Sequence, residues 1–287
     1  MENPPDLAPF PFHSQQLAYL REVERAGTFT EAARRLHVSQ PALSQALAEL
    51  ERRVGLPLFE PRGRLRELTE AGREAARFAS EVLGRASEFR AWTEAYEQGG
   101  AGTLTVGMID AASLYALPGA VRRFREVYPD VNLRLVVDTS TALVERLRRY
   151  ELDLAFVVAP VPDGLVAVEV GREPLHIYAP AGTAEDAAGA RWVLYSEGSH
   201  TRHQIDEGLA RLGIDPNVTL ESHNPEVLRQ MVALGLGWSV LPPAVAREDD
   251  RLVRREAVAE RVLLGVRRAS TVEDPRAAAF LAVATTA

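Results

Sequence analysis

The sequence predicts two kinds of structure in one 287-residue chain: an all-α N-terminal domain that runs into a long helix, then an α/β domain of two lobes. Three observations carry this. Apolar residues recur at helical spacing from Leu17 to Val54. A second, narrower apolar stripe alternates spacings of three and four residues along 75–96. From Leu104 onward, β-rich runs alternate with amphipathic runs, which is the pattern of a mostly parallel sheet with helices on both faces. The expected domains are 1–68, 69–99 and 100–287, with lobe I at about 102–160 and 264–287 and lobe II at about 161–263.

The first domain is set by local signals. Leu17, Leu20 and Val23 give a first helix its buried face. Thr28 and Glu31 have the spacing of a capping box, so a short helix carrying Ala32, Ala33 and Leu36 starts there and breaks at His37-Val38. Ser39 is a good N-cap, and Pro41 falls in the first turn, where its missing N–H costs nothing. Leu43, Leu47, Leu50 and Val54 then form one stripe, and Gly55 ends the helix. That stripe leaves Gln40, Ser44 and Gln45 on the opposite side, small and uncharged in a chain that is 25% charged. Gln can bond bidentately to adenine, and Ser can serve base edges or phosphates. Two helices joined by a tight turn, with such a face at the second helix's N-terminus, have the docking geometry of a helix-turn-helix. The bland alternative is a three-helix packing unit. Net charge is −7, which argues against indiscriminate nucleic-acid binding, but between Arg52 and Arg66 five Arg stand against Glu60 alone. Gly63 between Arg62 and Arg64 reads as a hairpin tip that would place guanidinium groups on phosphates. All basic residues are Arg, which we read as codon bias.

The run "FTEAARRLHVSQPALSQALAELERRVGLPLF…LTEAG" resembles the winged helix-turn-helix of LysR-type transcriptional regulators, nearly continuously from Leu17 to Gly72. The resemblance implies double-stranded DNA as partner. Its groove-facing set would be Ser39, Gln40, Pro41, Ser44 and Gln45; Thr30, Arg52, Arg62 and Arg64 are the further DNA-binding candidates, the last two on phosphates or in the minor groove. One position departs from the family: Arg usually stands where this chain has Pro61, and Arg62 follows one residue later.

Thr69 can cap the long helix, and Gly99-Gly100 can end it. Its seam is Ala71, Ala75, Phe78, Val82, Arg85, Phe89, Trp92 and Tyr96, interrupted once by Arg85. A helix this long with a narrow aromatic stripe cannot bury itself, although packing on its own domain remains the alternative. In the resembling family this helix pairs two subunits. A homo-oligomer, dimer or tetramer, is therefore expected, with Phe78, Val82, Phe89 and Trp92 at the dimer contact.

The C-terminal runs are "LTVGM", a helix over "LYALPGAVRRFREVYP", "VNLRLVV", a helix over "TALVERLRRYE", and "LDLAFVVA". "VPDG" at 161–164 reads as a hinge into a second set, with helices from His200 and Pro225, and "RVLLGVRR" at 261–268 reads as the return. Two crossings make two lobes with a cleft. LysR-type effector domains are similar to bacterial periplasmic binding proteins, which the resemblance extends to this chain. In open α/β sheets ligands sit at the carboxyl ends of strands, near helix N-termini. Three loops qualify, and their candidates are Asp110 and Ser113, then Thr139 and Ser140, then Ser199, His200 and Thr201. Their hydroxyls and free amides suit an anion, most plausibly a carboxylate, and His200 and Arg202 add positive or titratable character. Each hydroxyl could equally be a simple helix cap.

Several classes fall away. There is no Cys, so disulfides, thiolate zinc sites and thiol redox chemistry are excluded. No run of about 18 apolar residues occurs, so no membrane helix is expected. The N-terminus lacks the features of a signal peptide, so a cytoplasmic location is expected. Gly237-Trp238-Ser239 lacks the rest of a nucleophile elbow, and Gly235-Leu236-Gly237 lacks a dinucleotide fingerprint. His200, His203 and His223 could cluster, but no carboxylate completes a metal-ligand spacing. No catalytic residue, cofactor or metal is expected. The competing readings are a bilobal small-molecule enzyme with an accessory helical domain, and a ligand-independent architectural DNA binder.

Overall fold

The computed structural model describes residues 12–62, 65–97, 101–183, 186–247, 249–269 and 273–286. The chain divides into two compact units, Met1–Arg90 and Ala91–Ala287.

The first unit contains α1 (Ser14–Ala26), α2 (Phe29–Arg35) and α3 (Gln40–Val54). A two-stranded hairpin follows, β1 (Phe59–Arg62) with β2 (Leu65–Leu68), and then α4 (Glu70–Glu97) begins. Thr28 Oγ accepts from Glu31 N at 3.3 Å and starts α2. The expected reciprocal half of the capping box is replaced: the Glu31 carboxylate takes Arg34 and Arg35, each at 2.8 Å. Two guanidinium groups one turn away are stronger donors to a carboxylate than a single amide. His37 adopts a left-handed φ of 55°, which makes the tight turn between α2 and α3. Ser39 Oγ caps α3 from Ala42 N at 3.3 Å, and Gly55 at φ 77° ends it, a conformation only glycine adopts without strain. Leu43, Leu47 and Leu50 are buried together with Leu20 and Phe29. Fully burying each leucine contributes about 1.5–3 kcal/mol.

Thr69 ties α4 to the hairpin's approach. Its hydroxyl donates to Pro57 O at 2.7 Å and accepts from Gly72 N at 2.9 Å. Gly72 then passes so close that a Cβ there would lie 2.0 Å from Leu58 O. Along the 28 residues of α4, about 42 Å of helix at 1.5 Å per residue, Phe78, Val82 and Phe89 are exposed at 43%, 37% and 59%. Trp92 is half-buried. The helix end expected at Gly99-Gly100, and the Tyr96 side chain, lie outside the described residues.

The second unit is built on a six-stranded sheet. Its strands are β3 (Gly102–Met108), β4 (Val131–Val137), β5 (Leu154–Val158), β6 (Leu165–Pro180), β9 (Ser239–Leu241) and β10 (Leu252–Arg268), in the order β4-β3-β5-β10-β6-β9. β3 is parallel to both neighbours, and β10 is antiparallel to β5 and β6. A parallel pair, β7 (Arg191–Tyr195) with β8 (Asn217–Ser222), joins β9 through a bridge between Trp192 and Trp238. Its helices are α5 (Pro118–Val127), α6 (Ser140–Arg148), α7 (His200–Arg211), α8 (Pro225–Ala233) and α9 (Pro275–Thr285).

Two expectations change here. The loop 161–164 is not the crossing between lobes. β6 runs unbroken into the second lobe, and β10 returns beside it, registered from Leu165↔Arg268 to Pro180↔Leu252. The ladder carries register shifts at Arg254/Ala257, Ala257/Ala259 and Leu263/Leu264, yet the two strands stay paired on either side of them, so the chain passes between lobes as strand and not as loop. The helix expected from Leu114 is also divided. A π-helical turn over Ala112–Ala116 precedes α5, because Pro118 lacks the N–H that would carry the helix through. Separate cores fill the lobes. Phe124, Phe156 and Phe280 pack with ring centroids 4.9–5.7 Å apart in one. Trp192 and Trp238 pack in the other.

Candidate functional site

Two surfaces carry the candidate residues, one in each unit. On α3 the buried leucines turn Gln40, Pro41, Gln45 and Arg52 outward, with Ser44 half-buried between them, and Thr30 is exposed near the start of α2. Ser39 is exposed, but its hydroxyl is engaged in the cap. The basic cluster after α3 is less bare than the linear sequence implies. Arg52 and Arg53 both hold Glu49, with Nε contacts of 2.8 and 2.6 Å. Arg66 lies over the rings of Phe29 and Phe59 at 5.6 and 5.2 Å and reaches Glu51 at 3.3 Å. Helical spacing and the hairpin's return bring carboxylates from before Arg52 onto these cations. Exposed pairs of this kind contribute little and exchange readily for a phosphate. The Arg62 side chain, Gly63 and Arg64 lie outside the described residues. Sequence reasoning passed over Glu51. Its Oε1 accepts from Leu58 N at 2.8 Å and Phe59 N at 3.0 Å, which fixes the start of the hairpin on the recognition helix.

In the second unit the N-termini of α6, α7 and α8 meet at one cavity of about 300 Å³. It brings together Asp110, Thr139, Ser140, Ser199, His200 and Thr201. Ser113 is not in its lining, and its hydroxyl donates to Asp110 O at 2.9 Å. Thr139 and Ser199 cap their helices, accepting from Ala142 N at 3.4 Å and Arg202 N at 3.2 Å. The first-turn amides beyond those caps have no intrahelical acceptor, and each helix presents its positive end to the cavity. Ser140 Oγ accepts from Val158 N at 3.1 Å, and His200 Nδ1 lies 3.0 Å from Val158 O. A carbonyl can only accept, so this contact needs the proton on Nδ1. The bond reaches from the start of α7 to the end of β5 in the other lobe.

Arg202 corrects its expectation. It faces away from the cavity, bonding Asp206 at 2.7 Å, Glu221 at 2.7 Å and Tyr195 O at 2.9 Å. Two carboxylates on its own side outbid the cleft. His203 is also turned outward, 3.3 Å from Glu207, whereas His223 lines the cavity. Among the described residues no three such side chains are grouped to hold a metal ion.

The positive charge of the cavity comes instead from Arg261 of β10, only 2% exposed. Its Nε donates to Glu173 Oε2 at 2.7 Å, across the β6–β10 ladder. Beside it stands Tyr195, at the end of β7, 5% exposed. Burial pushes the Tyr195 phenol pKa up, and the Arg261 guanidinium pulls it partly back. Burial also raises the Asp110 pKa, with Asp138 adding to the rise and His223 opposing it. A charged residue in the apolar run of 257–266 was the signal available for Arg261. Tyr195 offered none.

Comparison with known proteins covers both units. Residues 14–73 match the family model described as a bacterial regulatory helix-turn-helix protein of the lysR family, and residues 97–287 match the LysR substrate binding domain. The chain is 30% identical over 274 residues to the Escherichia coli (strain K12) HTH-type transcriptional regulator cbl, covering 88% of this chain and 86% of that one. Among solved structures, a full-length OxyR variant from Pseudomonas aeruginosa is 26% identical with a TM-score of 0.71, covering 95% of this chain and 96% of that chain. Full-length CbnR complexed with its target DNA shares the fold at 22% identity and a TM-score of 0.66, over 96% and 99% of the two chains. Among the described residues no helix is long and apolar enough to cross a membrane. With the helix-turn-helix, the two-lobed α/β domain and both family matches in one chain, the protein belongs to the LysR family of DNA-binding transcriptional regulators.

Proposed function

We propose that the chain works as a homo-oligomer that reads DNA through α3 and changes its grip when a small acid binds between the lobes. Gln40, Ser44 and Gln45 would meet base edges, while Thr30, Ser39 and Pro41 would let the helix N-terminus approach the backbone closely. Arg52, Arg62 and Arg64 would hold phosphates. Phe78, Val82, Phe89 and Trp92 would form the contact between two long helices, which brings two reading heads to one duplex. Such a protein would work in the cytoplasm, where the DNA is.

The observation that carries the sensing half is the convergence of three helix N-termini and Arg261 on one cavity. That arrangement favours negative charge. The cavity draws on both lobes, so a ligand that contacts both stabilises their closed relation. It shifts the regulator only through its differential affinity for two states. The His200–Val158 contact already bridges the lobes and would set part of that balance.

Two measurements test the proposal. A thermal-shift screen of small carboxylates, amino acids and inorganic anions should give at least one stabilising ligand. A screen with no stabilising compound removes the sensing half. For the DNA half, Gln40→Ala should lose about 1–3 kcal/mol of discrimination between cognate and scrambled duplexes. An unchanged ratio in anisotropy titrations would show that this face does not read bases.

A further inference from the structure

The helix ends and Arg261 favour an acid group, and the carboxylates of the same cavity add a second requirement. At the floor, Arg261 has given its Nε to Glu173, so its charge is already balanced within the protein. What remains there is hydrogen-bonding capacity. Arg261 Nη2 is ion-paired with Glu173 Oε2 at 2.6 Å, and the Tyr195 hydroxyl stands against the same guanidinium. Both side chains are more than nine-tenths buried and line the cavity. A phenol oxygen that accepts from the guanidinium still has its own proton to give, so the Tyr195 hydroxyl and the adjoining guanidinium edge together offer donors to a carboxylate.

The walls carry the opposite sign. Three carboxylates, Asp110, Asp138 and Glu197, line the same cavity as this single arginine. Glu197 is exposed at the rim, and Asp138 Oδ1 already accepts from Thr139 N at 2.8 Å. The Asp110 carboxylate is half-buried and has no hydrogen bond or ion pair among the described residues. It stands close enough to Tyr195 to act on the phenol. A molecule with two negative groups would meet these carboxylates with only the imidazoles of His200 and His223, the latter beside Asp110, as further groups to receive it. A purely cationic molecule would meet Arg261 and three positive helix ends. One acid group and one ammonium on a short skeleton satisfy both.

We propose that the cavity takes a small zwitterion, an amino acid or similarly short amino-carboxylic acid. Its carboxylate binds Arg261 Nη2 and Tyr195 Oη, and its ammonium binds Asp110. The proposal rests on the reading of this cavity as the effector site. Size agrees: about 300 Å³ is room for roughly ten water-sized volumes, at the low end for ligand pockets. Burial keeps the unliganded Asp110 carboxylate raised in pKa. An ammonium partner would relieve that cost, so the site has a reason to prefer the amine-bearing acid.

The test uses the full-length protein and matched probes. Each standard amino acid is screened by thermal shift, and each hit is then compared by calorimetry with its amine-free acid and its methyl ester. The zwitterion should bind at least tenfold tighter than either partner compound. Tyr195→Phe keeps the ring and should weaken the zwitterion roughly three- to tenfold. Asp110→Asn should weaken it at least tenfold and abolish the preference over the amine-free acid. Should amine-free acids, sulfate or phosphate bind as tightly as the zwitterion, or should Asp110→Asn tighten binding, the zwitterion is refuted while the cavity keeps its role as effector site. A hit that binds both variants like the parent lies elsewhere, which also refutes the assignment. If no probe of any class stabilises the protein, both this proposal and the effector reading fail.

Discussion

Replacing Glu51 with Ala should loosen the hairpin from the recognition helix. The carboxylate of Glu51 accepts two backbone amides, Leu58 N at 2.8 Å and Phe59 N at 3.0 Å. Leu58 is fully buried and Phe59 is 5% exposed, so water reaches these amides poorly. A hydrogen bond to a charged acceptor contributes about 1.5–3 kcal/mol, and two would give about 3–6 kcal/mol if both amides stayed dry. The Glu51 side chain is itself 17% exposed, so the freed amides can recover some water contact and about 2–4 kcal/mol is the better figure. The Arg66 contact adds little, because Arg66 is 41% exposed. At about 1.4 kcal/mol per factor of ten, Leu58 and Phe59 amides should exchange with solvent on the order of 30- to 700-fold faster. Amide exchange at neutral pH, followed by NMR or by mass spectrometry on peptides covering 56–69, reads this directly. Glu51→Gln keeps one oxygen acceptor and should fall between parent and Ala. DNA affinity should fall in the same order, because the hairpin's placement depends on this anchor. If both amides of Glu51→Ala exchange within about threefold of the parent, the carboxylate is not what holds the hairpin, and the magnitude argued from dry amides is wrong.

Further outcomes follow from other contacts. Gly72→Ala gains about 1 kcal/mol of helix propensity, yet its Cβ would stand 2.0 Å from Leu58 O, so urea unfolding should show a net loss of about 1–3 kcal/mol; equal or greater stability would mean that α4 is not docked so closely. Phe89→Glu places a charge at a 59% exposed aromatic on the expected pairing face, and analytical ultracentrifugation should find monomers; a variant that stays fully oligomeric moves the contact off this stripe. The Glu31 and Glu49 pKa values are held down at about 2, Glu31 by Arg34 and then Arg35, Glu49 by Arg52 and then Arg53. A depressed carboxylate contributes above its unfolded value of 4.5 and loses that contribution as pH falls toward 2. The double variant Glu31→Gln, Glu49→Gln should therefore show a flatter loss of helical circular dichroism over that window, and the difference should shrink in about 1 M salt, where screening acts within about 3 Å. An identical pH profile would mean that these exposed pairs do not support the helices.

The sequence by itself determined the elements whose causes are local. Thr28, Ser39 and Gly55 mark where helices start and stop because a cap is satisfied within three or four residues, and those three capping contacts are present. The leucine stripe of α3 decided its outward face in the same way, since a helix of fixed pitch needs no partner to say which side is apolar. The alternation after Leu104 announced a layered α/β domain, and the loops at strand ends held six of the residues that line the cavity, although Ser113 lies outside it. What the sequence could not supply were pairings between residues far apart in the chain. Glu173 and Arg261 are 88 residues apart and meet only because β6 and β10 run side by side through both lobes. The same ladder moved the crossing away from 161–164. Arg202 was expected at the cleft and Arg66 on DNA phosphates, until the tertiary structure placed carboxylates beside them. A long flexible side chain takes whichever partner the fold brings within reach, so its direction is a property of the packed chain. Tyr195 became a floor residue for the same reason: its burial and its place beside Arg261 exist only once the chain has folded around the cavity.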